Sequence, residues 1–261
     1  MIISEKNKFG LTIISIASLV CFFILWQLVV KFNIITNDLL ATPTQVVKLF
    51  FVKINAVDPD GATLITHTLV SLEEALFGYV LALVIGIPLG LAMGWFTIVD
   101  GLARPIFELI RPIPPVAWIP LAIFWFGIGI SSKAFIIFFA ALVASVINSY
   151  TGVRLTNPTF IRMARAYGAS NWEIFWNVCV PSALPMVFGG LQVALAGAWT
   201  SLVAAELVAA DTGLGYLINV GRRLMRVDLV VLGMFMVGLT GVLISFVVNR
   251  IERRLVAGVR R

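Results

Sequence analysis

The chain has 261 residues, 60% of them hydrophobic and 12% charged, with a formal net charge of +6. Soluble domains carry roughly 25% charged residues, and this chain has too little polar surface to cover its apolar area, which excludes a soluble globular domain. The basic excess lies in short segments between apolar runs, a pattern of membrane topology rather than of nucleic-acid binding.

A spanning helix needs roughly 20 mainly apolar residues. Six such stretches are predicted, at about 11–31, 75–98, 104–128, 133–152, 184–208 and 229–249. The fold class is therefore all-α: a polytopic transmembrane helical bundle in one domain over residues 1–261.

Lys6 and Lys8 precede the first apolar run, which contains Trp26 and Gln27 and ends at Lys31-Phe32-Asn33. No small-residue cleavage site follows, so the run is predicted to stay as an uncleaved span. Cys21 sits inside it and Cys179 in a later polar connector, with neither a disulfide framework nor metal-ligand spacing. A segment rich in Asn, Asp, Thr and Pro follows, from Asn33 to Thr66. The lone histidine, His67, reads as a polar residue at the outer start of span two.

Span two carries Gly86-Ile-Pro-Leu-Gly90-Leu-Ala-Met-Gly94. Glycines four apart share a helix face and admit another backbone closely, and Pro88 predicts a kink. The segment fits either a crossing near a gate or ordinary membrane-helix packing. Five of the 11 prolines fall between Pro105 and Pro120. No continuous helix holds such a run, so span three is predicted to begin as an irregular segment, either a gate element or an interfacial loop.

The connector from Arg154 to Pro185, with its loop at about 154–182, is the most informative polar stretch. Asn157 suits an N-cap and Pro158 the first helical position. Gly168 falls where a helix ends in a left-handed residue, and Ser170 with Glu173 forms a capping box. Two short helices are predicted, the second closed by Pro181 and Pro185. Ala164 and Gly168, with Ala166 and Ala169 near them, form a small-residue face that a partner's cleft could grip. The alternative is a compact loop packed on its own bundle.

Lys and Arg near the span ends set orientation. With both termini cytoplasmic, Lys6, Lys8, Arg104, Arg111, Arg154, Arg162, Arg165, Arg250, Arg253, Arg254, Arg260 and Arg261 lie inside, 12 of the 19 basic residues. Lys31, Lys48, Lys53, Lys133, Arg222, Arg223 and Arg226 lie outside. The Arg222–Arg226 cluster opposes the rule. It could meet an external protein or draw anions to an entrance, or pair with Asp211 and Asp228.

Span five carries Gln192, Trp199, Thr200, Ser201 and Glu206. Gln192, Trp199 and Glu206 are seven apart and share one stripe, which reads as a translocation pathway or gate, or as dimer packing. Phosphate-loop chemistry needs a lysine followed by Ser or Thr. The six lysines here precede Asn, Phe, Phe, Leu, Ile and Ala, so ATP hydrolysis would have to come from a partner.

The connector resembles the coupling loop of ABC importer permeases: Glu-Ala-Ala, three residues, Gly, nine residues, Ile, one residue, Leu-Pro. The Gly is Gly168, the second Ala is Ala164, the Ile falls at Val178, and the Leu-Pro at Val180-Pro181. Arg162 and Met163 stand where that pattern has Glu and Ala, so its acidic start is missing. His67-Thr-Leu-Val-Ser71, Gly86–Gly90, Arg111–Pro120, Ala164–Ser170 and Trp199–Glu206 are similar to the nitrate, sulfonate and taurine branch, a likeness spanning roughly 40–250.

That resemblance implies a type I importer fold in the bacterial inner membrane. It implies a homodimer with two cytoplasmic ABC ATPase subunits that bind ATP and Mg, and an external solute-binding protein. It places Ala164, Arg165, Ala166, Gly168, Ala169, Ser170 and Pro181 in the ATPase-coupling loop. It implies no cofactor in this chain and a small solute, by default an anion. The rivals are a gradient-driven secondary transporter using Glu206, an importer of neutral or aromatic molecules, and a channel or membrane-anchored assembly factor.

Overall fold

The computed structural model describes residues 5–259, with side chains described for 13–250. Arg260 and Arg261 lie outside the described residues, as do the side chains of Lys6, Lys8, Arg253 and Arg254. Among the described residues there are helices and no strands. In chain order they are α1 (Glu5–Lys31), α2 (Pro43–Lys53), α3 (Leu64–Trp95), α4 (Thr97–Ile110), α5 (Ile119–Phe126), α6 (Ile130–Arg154), α7 (Pro158–Ala166), α8 (Asn171–Ile174), α9 (Val180–Val208), α10 (Leu214–Arg223) and α11 (Val227–Val259). Five helical stretches are long and apolar enough to cross a membrane, or six if a bent pair counts as one span.

Three predicted boundaries are corrected. Span two begins at Leu64, well before 75, because Thr63 caps it by accepting from the Thr66 N–H. Span three is broken: α4, then a 3₁₀ turn over Pro115–Trp118 and α5, bent by 84°. Pro112, Pro114 and Pro115 bring no N–H, and the Ile113 N–H makes only a turn bond to the Ile110 carbonyl at 3.0 Å, so no α-helix is carried through 112–115. Span five is longer than predicted, because α8 runs into α9 through a π-helical turn at Phe175–Cys179 instead of being closed by proline. The Pro181 ring opposes the carbonyl four residues back, Asn177, which lies in that wide turn. Cys179 is accordingly fully buried in a helix, not placed in a polar connector.

The core is α6 held between α3 and α9. Lipid gives helices no hydrophobic reason to associate, so close backbone approach must supply the attraction. Along α3, a Cβ on Gly78 would stand 2.7 Å from Ile137 Cβ, one on Gly86 2.9 Å from Ser145 Cβ, and one on Gly94 2.7 Å from Val153 Cβ. On the opposite side, a Cβ on Gly152 of α6 would lie 2.9 Å from the Ala183 carbonyl of α9. The Gly86–Gly94 segment thus serves helix packing. Helix α1 stands apart; Val30 is its buried apolar residue among those described.

One end of this core is closed by buried polar groups. Lys53 Nζ lies 2.7–3.2 Å from the Ala56, Val57, Asp58 and Ala62 carbonyls and beside Asp60, a ring of acceptors that its three N–H groups share. The other Asp60 oxygen lies 2.5 Å from His67 Nε2, while His67 Nδ1 accepts the Gly213 N–H at 3.0 Å. A backbone donor at Nδ1 fixes the proton of neutral imidazole on Nε2, facing Asp60. Lys133 of α6 donates to Glu74 of α3 at 2.7 Å. Lys53 and Lys133, assigned from sequence to the outer surface, are thus 1% and 3% exposed.

Two predictions follow from the packing. Gly90→Val should separate α3 from α6, because its Cβ would press on the Val146 carbonyl and lie 2.8 Å from Ser149 Cβ. Overpacking against backbone costs about 1–3 kcal/mol or more, so detergent-extracted protein should melt earlier, while Gly101→Val, with open space around it, should not. Lys53→Met leaves the buried Asp60 carboxylate without its cation, with His67 alone beside it, and should destabilise by about 3–5 kcal/mol in reversible unfolding.

Candidate coupling loop and pathway face

The α7–α8 loop is built by its caps. Asn157 Oδ1 accepts from the Thr159 N–H at 2.9 Å and starts α7. At its end, the Ala169 N–H donates to the Ala164 carbonyl and the Gly168 N–H to the Arg165 carbonyl, both at 3.0 Å, with Gly168 at φ +83°. This is a Schellman ending, which turns the chain through a left-handed residue. Ser170 and Glu173 close a reciprocal capping box: the Ser170 N–H donates to Glu173 Oε2 at 2.7 Å, and the Glu173 N–H to Ser170 Oγ at 3.3 Å.

Of the two sequence readings, the inward side of the loop fits packing on its own bundle. Ile161, Ala164 and Ala169 turn inward and pack on Leu91, Val153, Ile174, Phe175 and Ala183. Arg165, Ala166, Gly168, Ser170 and Pro181 face outward. Ala164 therefore seats the loop on its own bundle and is not displayed. The displayed apolar groups are Phe160, Met163, Tyr167, Trp172 and Trp176, with Tyr167 89% exposed. Trp172 also leans on Phe96, at 6.0 Å between ring centroids, whereas Tyr167 makes no ring contact among the described residues.

The span-five stripe divides by depth in the bundle. Trp199 is buried against α11, where Nε1 donates to the Val237 carbonyl at 3.1 Å. Glu206 is fully buried: Oε1 accepts from Ser71 Oγ at 2.6 Å and Oε2 from the Gly215 N–H at 2.7 Å. Ser71 Oγ in turn accepts the Leu214 N–H at 2.8 Å. Three successive N–H groups at the start of α10 thus end on His67, Ser71 and Glu206, and the carboxylate complements the positive end of that helix.

Gln192 and Thr200 are exposed on another face of α9 with Gly189, Val193, Ala196 and Leu207. Thr200 Oγ1 donates back to the Ala196 and Gly197 carbonyls at 3.0 and 3.1 Å. Beside this face an open groove of about 510 Å³ runs along α11, lined by Trp199, Gly241, Ser245 and Asn249 among others.

The Arg222–Arg226 cluster is only partly neutralised. Arg226 pairs with Asp228 at 2.7 Å and Arg222 donates to Asn219 Oδ1 at 2.9 Å, while Arg223 stays exposed and Asp211 forms no ion pair with any described residue. Residues that sequence reasoning missed are Lys53, Asp60, Ser71, Glu74 and Lys133. The available signal was ionisable groups at the ends of apolar runs, which fits solvent as well as burial.

The comparisons bear on the chain as a whole. Residues 82–261 match the family of binding-protein-dependent transport system inner membrane components. The taurine transport system permease protein of Escherichia coli is 34% identical over 245 residues, 93% of this chain and 88% of that protein. A nitrate import permease protein of Synechococcus elongatus is 32% identical over 250 residues, 92% and 88%. Among solved structures, the inward-facing MetNI methionine ABC transporter has a chain similar at a TM-score of 0.62 and 20% identity, covering 76% of this chain and 96% of that one. The fold is that of a type I importer permease, and the chain belongs to the binding-protein-dependent transport system inner membrane component family, among the ABC importer permeases of the taurine, nitrate and sulfonate type.

Proposed function

We propose that two copies of this chain form the translocation pathway of a bacterial inner-membrane importer. Two cytoplasmic ABC ATPase subunits, which bind ATP and Mg, drive it, and an external solute-binding protein supplies it. The solute is a small oxyanion such as a sulfonate, taurine or nitrate. The observation that carries this reading is the α7–α8 loop: capped at both helices, seated by Ala164, and displaying Met163 and Tyr167 away from the bundle. ATP binding in the partners pushes that loop, and α6 and α9, continuous with it, rock to alternate access.

Orientation rests on the surface charges. Arg104, Arg111, Arg154, Arg162 and Arg165 gather at the loop end. With Lys53 and Lys133 buried, the opposite surface keeps only Lys31, Lys48, Arg222, Arg223 and Arg226 of its assigned set, so the bias for cytoplasmic termini sharpens. The exposed α9 face with Gln192 and Thr200 is the proposed pathway lining. Glu206 has both oxygens engaged inside the protomer, which speaks against a gradient-driven carrier built on it. The anion assignment draws on the relatives' names and on the exposed Arg223 beside Arg222, which would raise anion encounter rates.

Uptake by the reconstituted assembly should stop when the partner ATPase is inactivated, and concentrative uptake sustained by an ion gradient alone would overturn the importer reading. Docking is read more cleanly at Met163 and Tyr167 than at Ala164, whose enlargement would disturb the bundle itself. Met163→Glu with Tyr167→Glu should leave insertion and dimerisation intact but abolish solute-stimulated ATP hydrolysis. Gly168→Ala meets open space and adds about 1 kcal/mol of left-handed strain, so it should weaken coupling without unfolding the chain.

A further inference from the structure

Helix α4 buries none of its residues in the protomer. Its three sides are chemically distinct. Val99, Ala103, Phe107 and Ile110 are half-buried against the bundle. One residue earlier in each turn, Ile98, Leu102, Ile106 and Leu109 form an apolar stripe whose members are 61–77% exposed. One residue later, Asp100, Arg104, Glu108 and Arg111 form a charged stripe. Each stripe is rotated roughly 100° from the inward side, in opposite senses. A helix with one side on protein, one apolar and one charged fits the boundary between acyl chains and headgroups.

A second feature stands beside it. Tyr150 of α6 gathers two arginines: Arg154 Nε donates to its hydroxyl at 3.0 Å and Arg104 Nη2 donates to the same oxygen. Both guanidiniums also lie over the ring, at 5.1 Å for Arg104 and 5.5 Å for Arg154. Arg104 is neutralised by Asp100 at 2.9 Å. Arg154 has no ion pair among the described residues, and its Nη1 and Nη2 donate to none of their atoms. An exposed guanidinium fork is thus oriented on the charged side of α4, across the helix from the apolar stripe. Planar, fixed donors of this kind suit phosphate oxygens.

We propose that Arg154, with Arg104, binds the phosphate of an anionic phospholipid while the Ile98–Leu109 stripe of α4 sinks into the same leaflet. That leaflet is the inner one if α7–α8 is cytoplasmic as proposed above; the lipid site itself does not depend on that reading. A headgroup there would brace α4 and the end of α6 from which the coupling loop departs.

The test uses the full-length chain in nanodiscs of equal parts phosphatidylglycerol and phosphatidylcholine, with retained lipid counted by native mass spectrometry. The wild type should retain phosphatidylglycerol in preference. One arginine near an anionic surface is worth about fivefold, so Arg154→Gln should lower that retention about fivefold and Arg104→Gln in addition should lower it further. Arg111→Gln, on the same stripe but paired with Glu108, should leave it unchanged. Undiminished retention in the double variant overturns the proposal, as does displacement of the lipid by millimolar inorganic phosphate, which would make this a site for a free anion.

A second measurement is independent of arginine variants that fail to fold. Nitroxide labels at Leu102→Cys and Glu108→Cys in vesicles of the same composition should be reached by oxygen at 102 and by a water-soluble relaxant at 108. A label at 102 shielded from oxygen and coupled to its counterpart in a second copy would show a protein interface in place of lipid, and would sink the idea.

Discussion

The structure depends on how closely α3 and α9 approach α6. In a bilayer, apolar side chains gain nothing by leaving lipid for one another, so contact must come from van der Waals surface made available by missing side chains. Gly78, Gly86, Gly90 and Gly94 supply it on the α3 side, and Gly152, facing Ala183, supplies it on the α9 side. A single added methyl at most of these sites meets backbone or Cβ atoms that belong to a helix and cannot turn away. The three helices therefore behave as one body, and every other element is placed by where it attaches to them.

The two ends of that body are finished differently. At one end, α10 begins on acceptors from α3 and α9, so its first N–H groups are satisfied by His67, Ser71 and Glu206 rather than by its own cap. At the other end, α7 follows α6 after a few residues, and α8 passes into α9 without a break. Gly152 and Ala183 hold those two helices in contact close to the loop, so α6 and α9 meet it as one packed pair.

Local chemistry was legible in the sequence where it acts over one helical turn. The Asn157 cap, the left-handed Gly168 and the Ser170–Glu173 box each depend on residues within four positions, and each appears in the structure as read. Properties that depend on rotation about a helix axis were not. Ala164 sits among exposed arginines in sequence, yet it faces inward because α7 lies across the α3–α9 surface. Lys53 and Lys133 looked like surface charges because the carboxylates that bury them, Asp60 and Glu74, are set by the fold of separate segments. The π turn at Phe175–Cys179 has no compositional signature beyond the proline that follows it, which is why span five was drawn too short.

Those buried ions add to a register that the packing already sets. Gly86, Gly90 and Gly94 repeat every four residues, but a slide of one turn, roughly 6 Å along the axis, would bring Ala82 to the place of Gly78 or Gly86, where a Cβ would press on Ile137 or Ser145. The Lys133–Glu74 pair has no such repeat: at 2.7 Å it tolerates no slide, and a shifted α3 would leave both charges unpaired in a buried site. Glu206 with Ser71 does the same between α9 and α3. Polar groups at one end therefore reinforce the register that the glycines set, as a single polar residue does at a coiled-coil seam.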